Sequence, residues 1–199
     1  VTPRFACAVA IVLMLAGCGS PPTKVFDLSA AADTPTAPLA AGPGVPLIWV
    51  DRPSVAGYFD RTQMVTRSGS NGISMHEFEV WSDPPADLIA RAIVDDLARR
   101  FGKDRVMRSP VGHYATPDWR VELDVTRFDV DETGQAVLDA RWTLLAGAND
   151  RLVASRRESI TSDAGDVTNA TRRVAALRET VAVLAGRIGD AITDNKSRR

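Results

Sequence analysis

The stretch RVELDVTRFDVDETGQAVLDARWTLL, Arg120 to Leu145, decides the fold class. Val121, Leu123 and Val125 alternate with Arg120, Glu122 and Asp124. That period of two marks a half-buried strand, because successive side chains leave a strand on opposite faces. Phe128 and Val130 break the parity, which predicts a bulge near Thr126–Arg127. Asp131-Glu132-Thr133-Gly134 has turn chemistry, and Ala136, Leu138, Ala140, Trp142 and Leu144 then line one face of a return strand. Gly147-Ala148-Asn149-Asp150 makes a second turn, leading into a third strand from Arg151 to Ile160. Glu122, Asp124, Arg141 and Thr143 occupy the opposite face, so this meander has one wet side.

Downstream, Val167, Ala170, Val174, Leu177, Val181, Leu184 and Ile188 recur at three-four spacing and predict a long helix capped by Asp166. The same stripe suits a coiled coil, but packing across a sheet is the better fit for a chain rich in strands. Upstream, Ile89, Ile93, Leu97 and Phe101 predict another amphipathic helix. Asp83 is its expected N-cap, Pro84 its first helical residue and Gly102 its stop. Arg99 and Arg100 in its last turn suit the helix dipole. Gln63–Arg67 and Ile73–Trp81, joined by Ser68-Gly69-Ser70-Asn71-Gly72, read as a hairpin. Val45–Val50 reads as a buried strand and Lys24–Ser29 as a short one. Five or six strands and two helices predict an α+β two-layer sandwich, a mainly antiparallel sheet with both helices on one face.

The chain begins differently. Phe5–Leu15 is an apolar run of about 11 residues, where a membrane-spanning helix needs about 20. Arg4 precedes it and the small residues Ala16 and Gly17 follow, as in a secretory signal peptide. The leading Val1 is consistent with a GTG start codon. Leu15-Ala16-Gly17-Cys18 resembles the bacterial lipobox, which implies cleavage between Gly17 and Cys18 and a diacylglycerol thioether on Cys18. Two or three acyl chains would make attachment effectively permanent, since each buried CH₂ contributes about 0.8 kcal/mol. Gly19 after the cysteine, in place of aspartate, points to the outer membrane, periplasmic face. The expected organisation is a leader over 1–17, lipidated cysteine and tether over 18–23, and a single domain over 24–199 with a flexible Ala-Pro-Thr-Gly loop at 30–44.

The formal net charge is −1 over 199 residues. Losing the leader removes Arg4 and leaves about −2. That balance argues against a nucleic-acid partner, which requires a strongly basic face. The sequence contains two cysteines, Cys7 and Cys18. Cys7 lies in the leader, so the mature domain has neither a disulfide nor a cysteine metal site. Roughly 170 residues suffice for one hydrophobic core.

Catalytic and metal motifs fail on inspection. His76-Glu77 opens like H-E-x-x-H, but Val80 stands where the second histidine is required. His113 reads as a packed or surface histidine. Asp129–Gly134 opens like a calcium loop, yet position twelve is Ala140 where a bidentate glutamate is needed; a hairpin turn explains it. No G-x-S-x-G elbow, P-loop or dinucleotide fingerprint is present. The expectation is a protein that is not an enzyme and binds no cofactor beyond the lipid on Cys18.

Several segments resemble the ABC-type transport auxiliary lipoprotein family, the PqiC-like lipoproteins. They are Trp81-Ser82-Asp83-Pro84-Pro85 leading into Leu88, Tyr58-Phe59-Asp60-Arg61 with Val65 and Arg67 beyond, and Leu123 to Trp142 with Phe128 and Gly134 between. Phe26-Asp27-Leu28 departs from the family's tyrosine-rich first strand. The resemblance implies a non-enzymatic accessory of a transport system with an ATPase, a permease and a lipid-binding MCE protein. It makes Tyr58, Arg61, Arg67, Trp81 and Pro84 candidate partner contacts, although Trp81 and Pro84 equally suit a structural strand-to-helix corner. Self-assembly into a homo-oligomer stays open. The rival class is an envelope or outer-membrane assembly lipoprotein with no transport role.

Overall fold

A computed structural model describes residues 20–29, 44–109 and 116–196. The chain's long axis of order is β7, Trp119–Asp131. One edge of β7 pairs antiparallel along nearly its whole length with β8, Gln135–Ala146, which pairs antiparallel in turn with β9, Arg151–Asp163. The other edge is shared by three short strands in succession, all parallel to it. These are β2 (Ile48–Val50), β3 (Ser54–Val55) and β4 (Gln63–Ser68). Beyond β2 lies β6, Val106–Arg108, and beyond β4 lie β5, Gly72–Trp81, and β1, Lys24–Phe26.

The meander follows its hydrophobic pattern. Val121, Leu123 and Val125 are buried; the register then shifts between Val125 and Arg127, and Phe128 and Val130 are buried again. Thr126 is the extra residue of that bulge. On β8, Ala136, Leu138, Ala140, Trp142 and Leu144 are all buried. Helix α1, Pro85–Phe101, lies over β6 and β2, while α2, Ala170–Lys196, lies over β8, β9 and β7. The helices also pack on each other, and their apolar stripes join the inner sheet residues in one core. Ile89, Ile93, Leu97, Leu177, Val181, Leu184 and Ile188 are central to it.

The α+β class and the two helices agree with the sequence reading; the sheet does not. It has nine strands among the described residues and is mixed, not mainly antiparallel with five or six. The difference comes from short parallel pairings, each of two or three residues, between β1 and β5, β2 and β6, and β7 and its three successive partners. The two- and three-residue strands β3 and β6 leave no periodicity to read, and nothing in β1, β2 or β4 marks a parallel partner. Both helix caps also move. Pro84, not Asp83, is the N-cap of α1, and Asp83 instead takes an ion pair from Arg91 at 2.5 Å. At α2 the Asn169 Oδ1 accepts the Arg172 amide at 3.2 Å, while Asp166 closes a turn just before it through the Thr168 amide at 2.9 Å. Gly102 ends α1 at φ +99°, as expected of a glycine stop.

A candidate docking face around Asp129

Asp129 stands between Phe128 and Val130 on β7, on the face away from the helices, yet its side chain is 0% exposed. A carboxylate taken out of water needs partners for its lone pairs, and three side chains supply them. The Tyr58 hydroxyl donates at 2.6 Å, Arg67 at 3.1 Å and the Arg127 Nε at 3.0 Å. The Phe128 amide donates to the Tyr58 hydroxyl at 3.3 Å, and the Arg67 guanidinium lies 5.5 Å from the centre of the Tyr58 ring. Burial and the neighbouring Asp129 carboxylate push the Tyr58 hydroxyl up to about 12. Burial works against the charge on Arg67, but the Asp129 carboxylate outweighs it and the guanidinium pKa rises.

The five residues singled out in sequence divide around this cluster. Tyr58 and Arg67 converge on Asp129. Trp81 is buried and lies behind them, its ring 6.3 Å from that of Phe128, which is 6.1 Å from Phe59. The Trp81 amide donates to the Thr62 carbonyl at 2.7 Å, which ties the end of β5 to the segment leading into β4. Pro84 is exposed at the corner, where its carbonyl accepts the amides of Asp87 and Leu88 at 2.9 and 3.2 Å. Arg61 turns elsewhere and reaches the Met75 Sδ at 2.8 Å. Cys18, its neighbour Gly17 and His113 lie outside the described residues.

Asp129 itself was invisible as a site residue, because the sequence shows it as the first oxygen of a failed calcium loop. Its parity does place it on the outer face, but no spacing joins it to Tyr58 or Arg67. The decoy resolves into a turn between β7 and β8, in which the Asp131 carboxylate accepts the Thr133 and Gln135 amides at 2.9 and 3.1 Å. Among the described residues no group of three or more His, Cys, Asp or Glu is placed to hold a metal. Among them, too, no helix is long and apolar enough to cross a membrane.

A family model described as the ABC-type transport auxiliary lipoprotein component matches residues 26–189. The chain belongs to this family. The match takes in all three segments that carried the sequence resemblance and the whole Asp129 cluster. The auxiliary lipoprotein fold also recurs in solved structures. The protein XCC0632 from Xanthomonas campestris is 20% identical, with a TM-score of 0.69 over 88% of this chain and 99% of that one. A crystal structure of an uncharacterized protein is 16% identical, with a TM-score of 0.70 over 86% and 99%. At these identities the likeness is one of fold. The PelC dodecamer from Paraburkholderia phytofirmans, 10% identical over 69% of this chain and 85% of that one, has a TM-score of only 0.40. No curated protein matches the chain.

Proposed function

We propose that this auxiliary lipoprotein is a non-catalytic accessory of an ABC/MCE-type intermembrane lipid transport system, held on the periplasmic face of the outer membrane by lipid on Cys18. The observation that carries the reading is the family match over residues 26–189. Two features support it. The most buried charged cluster of the outer sheet face is closed on itself: Tyr58, Arg67 and Arg127 are spent on holding Asp129, which suits a rigid platform better than a reaction centre. The lipobox places an anchor only a few residues before β1. In this reading the periplasmic end of an MCE protein docks beside the β5-to-α1 corner. Pro84 and Arg61 offer the contact surface, Tyr58 and Arg67 shape it, and Trp81 supports the corner from beneath.

Affinity purification from gently solubilised envelopes tests the reading. It predicts that an ABC permease, its ATPase and an MCE protein co-purify, and that a Cys18→Ala chain loses both acyl label and partners. Recovery of an outer-membrane barrel protein without permease or ATPase would favour the assembly class instead.

A further inference from the structure

The helix-free face of β7, β8 and β9 contains a concavity of about 540 Å³. Its charged lining is Asp124, Asp139, Arg141, Arg157 and Glu158, with the hydroxyls of Thr126 and Ser159 beside them. Glu158 stands opposite the buried Ala140 and is already ion-paired with Arg187 of α2. The register puts Asp124, Arg141 and Arg157 in one row across the three strands, with Asp139 and Ser159 in the next. Arg141 and Arg157 are therefore direct cross-strand neighbours, an arrangement in which like charges destabilise each other. Among the described residues neither guanidinium forms an ion pair or hydrogen bond, and the Asp124 and Asp139 carboxylates form none either. This contrasts with the Asp129 cluster one row further along, where every charge is used. The bulge at Thr126 opens the surface here, and the Thr126 hydroxyl is turned to the Asp139 carbonyl at 3.3 Å.

We propose that this concavity binds the phosphoethanolamine headgroup of a lipid. Two adjacent guanidiniums match a phosphate, since arginine presents paired donors to its oxygens. The two carboxylates, however, repel a bare anion. With Glu158 neutralised by Arg187, the four remaining charges sum to zero, so the group that satisfies all of them carries a phosphate and an ammonium joined by a short link. The volume falls within the range of about 300–1,000 Å³ usual for small-molecule sites. The site lies beyond the accessory role above and does not rest on it.

Isothermal titration calorimetry on the purified full chain tests the site. Glycerophosphoethanolamine and dihexanoylphosphatidylethanolamine, the latter below its micelle concentration, should bind saturably, with glycerol phosphate and inorganic phosphate weaker by at least about tenfold. Arg141→Gln with Arg157→Gln should abolish binding. Asp124→Asn with Asp139→Asn should erase the preference for the ammonium-bearing ligands and keep anion binding. All four side chains lie on the solvated face, and an unchanged thermal melt verifies that each variant is folded. No saturable binding of glycerophosphoethanolamine overturns the proposal. Equal binding of inorganic phosphate reduces the site to a plain anion site and overturns it too. Binding of the soluble headgroup without the short-chain lipid overturns the lipid as its source.

Discussion

The Tyr58 hydroxyl and the Asp129 carboxylate meet at 2.6 Å although 71 residues separate them in sequence. The bond joins the segment between β3 and β4 to the middle of the sheet, at the point where β7 passes from pairing with β3 to pairing with β4. Those parallel pairings are too short to hold the segment by ladder bonds alone. A charge-assisted bond there compensates, and it fixes the Tyr58 ring beneath Arg67.

Tyr58→Phe should therefore cost about 1.5–3 kcal/mol in equilibrium denaturation, the usual loss for a hydrogen bond to a charged group. The sign of its pH dependence also follows. A hydroxyl whose pKa is raised from 10.0 to about 12 in the folded chain contributes stability that is complete below pH 10. That contribution is lost as the pH climbs towards 12, because the unfolded chain ionises first. Wild-type stability should fall more steeply than that of Tyr58→Phe across this window; parallel curves would refute the assignment.

Thr126 is the extra residue that β7 carries against β8, since Val125 faces Ala140 and Arg127 faces the next residue, Asp139. The bulge absorbs it, so Phe128 and Val130, 3% and 1% exposed, stay inside although their sequence parity differs from that of Val121, Leu123 and Val125. Deleting Thr126 makes Val125 and Arg127 consecutive and leaves Phe128 and Val130 inward and Asp129 outward. The deletion variant should therefore keep a cooperative unfolding transition in a thermal melt. A second residue inserted beside Thr126 should abolish that transition, because an uncompensated one-residue slip flips every later side chain. Loss of cooperativity in the deletion variant would refute the assignment of the bulge.

Gly134 is tested against Gly147. Both have positive φ, +86° and +72°. A Cβ at Gly134 would come within 2.7 Å of the Gly165 carbonyl oxygen, while at Gly147 it would meet open space. Gly147→Ala should cost only the left-handed penalty of about 1–2 kcal/mol. Gly134→Ala should cost more, since backbone must also move, and calorimetric melting of the two variants side by side reads the difference.

Legibility followed periodicity. The meander, its bulge and the buried faces of both helices could be read because each repeats its pattern over many residues. Two of the parallel strands could not: Ser54–Val55 and Val106–Arg108 have no alternation to detect, and their pairing partners lie 70 or 58 residues away. Lys24–Ser29, Val45–Val50 and Gln63–Arg67 were legible as strands, but nothing in them marks a parallel partner. The cap of α2 moved for a local reason, as Asp166 and Asn169 both carry a suitable oxygen and only backbone geometry chooses between them. Of the candidate site, Tyr58 and Arg67 came from resemblance, and Asp129 had no signal because nothing in a sequence states that a charged residue will be covered.

A second, partly buried network joins His76 and Glu79 of β5 to Arg173 of α2. His76 on β5 places Nδ1 3.3 Å from Glu79 Oε2 and Nε2 3.0 Å from the Thr66 hydroxyl. Arg173 of α2, its side chain 1% exposed, donates to the same Glu79 and to the Val167 carbonyl. Burial and then the Arg173 charge hold the His76 pKa below its ordinary 6.5, and Glu79 opposes them. The folded chain thus takes up a proton less readily than the unfolded one. The stability from a neutral His76 is complete above 6.5 and is lost as the pH falls through the depressed folded value. Between about pH 7 and pH 5, wild-type stability should drop more than that of His76→Gln. Glu79→Ala should act at every pH, because it leaves Arg173 buried without its counter-charge at a cost of about 3–5 kcal/mol. Adding His76→Gln to Glu79→Ala separates the two effects. With the opposing Glu79 charge gone, Arg173 should depress His76 further, so Glu79→Ala alone should lose more stability on acidification than the parent, and the double variant should keep the large loss without that extra acid slope.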